Sequence, residues 1–150
     1  MKKLVFLSKN NQETRSLGRF LARAIGCRKL PFRSFIVGLE GDLGSGKTTF
    51  TQGFAKGLGI KEKILSPTFV IAKRFTIRKC FWKNFFHIDL YRLKSKREVK
   101  KLNWDQILNN KNSIVLIEWA DKAKNFLPKN ILWVNFKHCS EKEREVIFKA

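Results

Sequence analysis

SFIVGLEGDLGSGKTTFTQGFAKGLG, residues 34–59, decides the fold. The first seven residues are a short apolar run that reads as a buried strand. Next, Gly41-Asp42-Leu43-Gly44-Ser45-Gly46-Lys47-Thr48 fits the phosphate-binding pattern GxxxxGK[ST]. A helix is expected from Lys47 to Leu58, stopped by Gly59. Phe50, Phe54 and Leu58 would line its apolar face. Gly53 and Gly57 would weaken the helix but allow close packing on a sheet. A strand, a glycine bend and a helix in this order are the setting a phosphate loop requires.

The residue types follow from the ligand. Backbone N–H groups can hold several phosphate charges only if the chain wraps closely, and side chains at Gly44 or Gly46 would obstruct the wrap. The helix beginning near Lys47 turns its positive end and free N–H groups into the bend. Asp42, Leu43, Gly44, Ser45, Gly46, Lys47, Thr48 and Thr49 are therefore the expected nucleotide-binding set. The Lys47 ammonium would reach the β- and γ-phosphates, and the Thr48 hydroxyl is placed to bind Mg²⁺.

Such a loop needs acids for the metal and the attacking water. Glu118 ends the apolar run Ile114-Val115-Leu116-Ile117, where these folds place a carboxylate. Asp89, in HIDLYR, is the second candidate. The plainer alternative for either is an acid facing solvent at a strand end. Lys47, Asp89 and Glu118 form the candidate catalytic set, and Thr48, Asp89 and Glu118 the candidate Mg²⁺ ligands. His87 on its own reads as a packed or surface histidine. ATP is the expected nucleotide: Asn110-Lys111-Asn112-Ser113 lacks the aspartate of the guanine motif NKxD.

Working outward, KLVFL (3–7) is expected as a first strand, with Asn10 or Asn11 capping a helix over 12–25. Leu17, Phe20, Leu21, Ala24 and Ile25 would form its apolar face. Strands are expected within 66–77, 80–93, 113–119, 131–136 and 145–148, with a charged, weakly helical segment at 94–110. No repeat or linker interrupts the 150 residues. The expectation is one α/β domain over 1–150, strands alternating with helices.

A net charge of +20 points to a polyanion partner, RNA or DNA. Against this, 22 lysines to 10 arginines, with abundant Phe and Asn, also fits a genome rich in A and T, and the lysines are spread along the chain. Cys27, Cys80 and Cys139 are odd in number and far apart in sequence, which argues for reduced thiols over zinc or disulfides. The apolar run Leu4–Leu7 is too short for a signal peptide, and no stretch approaches the ~20 residues of a membrane span. A cytoplasmic protein with no membrane contact is expected.

Four stretches, GDLGSGKTTFTQGFAKGLGI (41–60), SPTF (66–69), HIDLYRL (87–93) and IVLIEW (114–119), together resemble one family in order and spacing. It is the bacterial TsaE family, P-loop ATPases of tRNA threonylcarbamoyladenosine synthesis. Glu13-Thr14 and Leu17-Gly18 in the first helix are similar too. The resemblance implies a P-loop NTPase-like mixed sheet, parallel and antiparallel, flanked by helices. It implies slow hydrolysis of ATP with Mg²⁺, and work with two partner proteins, TsaB and TsaD. Those partners modify the adenosine beside the anticodon of tRNA, and hydrolysis here would reset them. By position, Lys47 and Thr48 would hold phosphate and metal, and Glu118 and Asp89 would surround Mg²⁺ and water. Ser66, Pro67 and Thr68 resemble a switch segment that senses the γ-phosphate. Trp119 follows the metal acid in the family pattern.

Two departures stand out. Ala120 replaces a frequent proline, and Lys94-Ser95-Lys96-Arg97 replaces an acidic stretch, leaving Glu98. Two other readings exist: a small-molecule kinase with a lid near Arg92 and Arg97, and a basic RNA-binding protein without catalysis.

Overall fold

A computed structural model describes residues 2–28, 33–66 and 71–150. Seven strands form one sheet: β1 (Lys3–Ser8), β2 (Phe35–Glu40), β3 (Ala72–Thr76), β4 (Asn84–Asp89), β5 (Ser113–Glu118), β6 (Leu132–His138) and β7 (Arg144–Lys149). Their order is β1-β7-β6-β2-β5-β4-β3. The inner block β6-β2-β5-β4 is parallel, while β3, β7 and β1 pair antiparallel at its flanks. The helices are α1 (Asn11–Gly26), α2 (Lys47–Gly57), α3 (Lys96–Lys100) and α4 (Trp104–Leu108). The fold is thus α/β, with a mixed sheet between helical layers.

The two-residue period of the strands sorts side chains between two cores. Val37, Leu39, Phe85, Ile114 and Leu116 pack with α1 and α2. Ile36, Ile88, Val115 and Ile117 pack on the other face with Trp104 and the segment after β5. That segment, Ala120–Phe126, is a 3₁₀ helix that no sequence signal marked. Continuing the period, His87, Asp89 and Glu118 fall on the same face as α2.

Of the apolar face expected for α1, Ile25 is buried and Leu17 and Leu21 pack against the core, while two members need correction. Phe20 is 72% exposed and Ala24 is also exposed. The buried face runs through Thr14, Gly18, Ala22 and Ile25. The reason is close contact with α2, which only small residues permit. A Cβ added at Gly18 would sit 2.2 Å from the Phe50 carbonyl oxygen. The role expected of Gly53 shifts likewise: it faces α1, and not the sheet. A Cβ at Gly53 would lie 2.0 Å from the Arg15 carbonyl oxygen. Backbone cannot yield to that overlap, so Gly53→Ala is expected to destabilise by about 2–3 kcal/mol, outweighing the gain in helix propensity of about 1 kcal/mol. Urea denaturation checks it; an unchanged midpoint would contradict the packing.

Among the described residues, no helix is long and apolar enough to cross a membrane. The three cysteines are free.

Candidate nucleotide site

Parallel strands bring their carboxyl ends to one edge, and open α/β sheets bind ligands there. The parallel register sets Asp89 of β4 directly beside Glu118 of β5, and Glu118 beside Leu39 of β2. The glycine bend leaves β2 two residues later. Distant parts of the sequence therefore meet at one sheet edge.

The bend has left-handed backbone at Gly44 (φ 75°) and Gly46 (φ 104°). The two glycines are needed for different reasons. A Cβ at Gly46 would lie 2.6 Å from Arg144 Nη1. At Gly44 nothing lies within 4 Å, so backbone conformation alone favours glycine there in this structure.

Gly46 also occupies the N-cap of α2. No side chain caps this helix, and its first turn carries no acid. The other helix ends show the contrast. Asn10 Oδ1 accepts from Glu13 N to cap α1, and Ser95 with Glu98 forms a reciprocal capping box on α3. At α2 the free N–H groups and positive dipole end stay available to an anion.

Lys47 lies inside the bend, 5% exposed. Its Nζ donates to the carbonyls of Gly41 (2.5 Å) and Asp42 (2.8 Å), with Ser45 Oγ at 3.4 Å. The Trp119 ring covers it, centroid 3.9 Å away. Burial holds its pKa below the usual lysine value, opposed by Glu118, then Asp89, Asp121 and Asp42. Trp119 itself has left-handed backbone (φ 59°), a costly conformation for a bulky residue and one that marks functional sites. Leu43 and Asp42 are exposed, Ser45 is buried, and Thr49 is half-buried in the first turn of α2.

Glu118 is 1% exposed and fully engaged. Thr48 Oγ1 donates to its Oε2 at 2.8 Å. Thr51 Oγ1 lies 3.0 Å and His87 Nε2 2.9 Å from its Oε1. Asp89 Oδ2 accepts from Ser66 Oγ at 2.6 Å, and its Oδ1 from Tyr91 N at 2.9 Å. Pro67 and Thr68 lie outside the described residues.

Among the described residues, no three His, Cys, Asp or Glu side chains cluster as a metal cage. A Mg²⁺ ion takes one or two carboxylates and completes its shell with phosphate oxygens and water. The oxygen donors of Thr48, Glu118 and Asp89 at one edge fit that pattern.

Sequence reasoning missed three contributors. His87 is 1% exposed, the packed histidine expected, but its contact with Glu118 was not foreseen. Its place two residues before Asp89, on the same strand face, was the available signal. Thr51 gave none beyond lying one turn after Lys47. Arg144, on β7, is 5% exposed behind Gly46, where Nη1 bonds Asn11 Oδ1 at 3.0 Å and Nε has no partner. No motif led to it. A buried guanidinium there packs against the bend at Gly46 and adds positive potential. Arg144→Met is expected to weaken ATP binding about tenfold, with Arg144→Lys recovering part of it, by calorimetry. Equal affinity in all three proteins would exclude this role.

The fold and the likenesses to known proteins agree. A crystal structure of Bacillus subtilis YdiB superposes with a TM-score of 0.72 at 31% identity, covering 99% of this chain and 86% of that one. The tRNA threonylcarbamoyladenosine biosynthesis protein TsaE of Bacillus subtilis is 35% identical over 150 residues, all of this chain and 87% of the relative. The protein of that name from Rickettsia felis is 34% identical over 136 residues, 90% of this chain and 73% of the relative. The family model described as threonylcarbamoyl adenosine biosynthesis protein TsaE matches residues 8–146. On a match of that length, the chain belongs to the TsaE family.

Proposed function

We propose that the protein is a Mg²⁺-dependent ATPase that serves tRNA threonylcarbamoyladenosine modification in the cytoplasm as an accessory subunit to TsaB and TsaD. One observation carries the catalytic part: the uncapped N-terminus of α2 stands beside a buried, carbonyl-held Lys47 and the Thr48–Glu118 pair. The modification pathway is supported by the family and by the relatives' names.

In this reading the bend amides and Lys47 bind the β- and γ-phosphates. Lys47 exchanges its carbonyl partners for phosphate oxygens as ATP enters. Thr48, Glu118 and Asp89 would hold Mg²⁺, which supplies charge neutralisation on the phosphates when bound. A carboxylate of this pair orients water and takes its proton. The new O–Pγ bond forms as the Pβ–O–Pγ bridge breaks, releasing ADP and phosphate. His87, hydrogen-bonded to Glu118 Oε1, fixes the carboxylate's orientation. Ser66, bonded to Asp89, belongs to the expected switch segment, so loss of the γ-phosphate would be felt at Asp89 first.

Low turnover by the isolated protein and clear stimulation by TsaB with TsaD are the expected steady-state results. A fast lone enzyme indifferent to both partners would reject the accessory role.

A further inference from the structure

We infer that the groove between α1 and the 60–64 loop binds the phosphodiester backbone of RNA. Arg15, Arg19 and Arg23 stand one helical turn apart on α1. Such residues lie about 5–6 Å apart on one helix face. Arg15 and Arg19, with Lys56, Lys61 and Lys63, line a cleft of about 570 Å³ whose one carboxylate is Glu62. Arg23 and Lys56 continue into a neighbouring cleft of about 540 Å³. Five cations to one acid is close to the chain's own balance of 32 to 12; what the fold adds is their convergence on one concave surface.

The cations are free and well anchored. Among the described residues, none of these six is in ion-pair contact with a carboxylate. The loop is pinned by buried Ile60 and Ile64 and by Gln52 Nε2 donating to the Ile64 carbonyl at 3.2 Å. Lys61 and Lys63 therefore project to solvent from a fixed base.

The lining also favours a nucleic acid over an acidic protein. Protein interfaces depend on apolar anchors seated in pockets. The apolar side chains here, Ile60 and Ile64, are buried, and the accessible groups are cations, amides, a hydroxyl and the single carboxylate of Glu62. Binding a phosphate backbone needs nothing more and carries no sequence preference. Choosing RNA over DNA rests on the proposed tRNA role; the affinity of the groove for a phosphodiester chain does not.

The test is fluorescence anisotropy of a labelled tRNA transcript against salt. One variant carries Arg19→Gln, Lys61→Gln and Lys63→Gln. A control removes equal charge elsewhere, at exposed Lys100, Lys101 and Lys129, each to Gln. Thermal melting verifies folding, so the outcome is independent of the ATP site. Each lost phosphate contact should flatten the slope of log affinity against log salt by about 0.7–0.9. The groove variant is expected to flatten it by about two to three and to lose about tenfold or more in affinity near 50 mM salt, with the control little changed. Equal losses in both variants, or a shallow slope in the unaltered protein, would overturn the groove. Duplex DNA binding as tightly as tRNA would overturn the choice of RNA. Equally effective competition by polyglutamate of matched charge would overturn the nucleic-acid assignment in favour of an acidic protein.

Discussion

Lys47→Ala is expected to weaken ATP binding by about 100- to 1,000-fold. Among the described residues the ammonium is the one cation seated inside the bend, with Arg144 behind it, and a hydrogen bond from a charged donor is worth about 1.5–3 kcal/mol. Contacts to two phosphates together give roughly 3–4 kcal/mol, which is the stated factor. Folding should change far less. The carbonyls of Gly41 and Asp42 lose a donor, but Asp42 is exposed and water can replace it. Calorimetry on a variant shown to be folded separates the two effects, and undiminished affinity would remove the site. Alkaline pH offers a second check. Burial lowers the Lys47 pKa, so in the empty protein its proton is lost at lower pH than from an ordinary lysine. Bound phosphate favours the charged form. Affinity should therefore be full below that lowered pKa and decline as pH rises through it. A Lys47→Ala variant should lack that decline.

Much of this site was legible because its signals are local. The glycine spacing, Lys47 and Thr48 occupy eight residues, and the strand before and helix after them obey simple periodicity. Glu118 was legible as the acid closing an apolar run. What sequence could not supply was registry between distant strands. That His87 and Glu118 share a face, and that Arg144 lies behind Gly46 some hundred positions away, depends on strand order. Part of the face of α1, at Phe20 and Ala24, was misjudged for a related reason. Bulky residues suggested a contact stripe, whereas Gly18 and Gly53 set one by letting two backbones approach. The 3₁₀ segment after Glu118 carries weak periodicity and was invisible, yet it follows directly from Trp119, whose ring covers Lys47.

Glu118→Gln is expected to lower ATP turnover by about 10²- to 10⁴-fold while ATP affinity changes only a few-fold, because this carboxylate acts on metal and water more than on the bound nucleotide. The choice of glutamine matters. Alanine would strip Thr48, Thr51 and His87 of their shared acceptor, and Thr51 and His87 are buried. Each buried polar group left unpaired costs about 1–3 kcal/mol, enough to confuse lost chemistry with lost structure. Glutamine keeps the shape and one acceptor while removing the negative charge. Phosphate release in steady state, with calorimetry alongside, gives both quantities. Asp89→Asn is the companion measurement. The amide keeps one oxygen for Tyr91 N and turns its NH2 toward Ser66 Oγ, whose hydroxyl can accept where it had donated. If Glu118→Gln kept turnover within threefold and Asp89→Asn abolished it, water activation would belong to Asp89, and Glu118 would be left as the hub that holds Thr48, Thr51 and His87 in place.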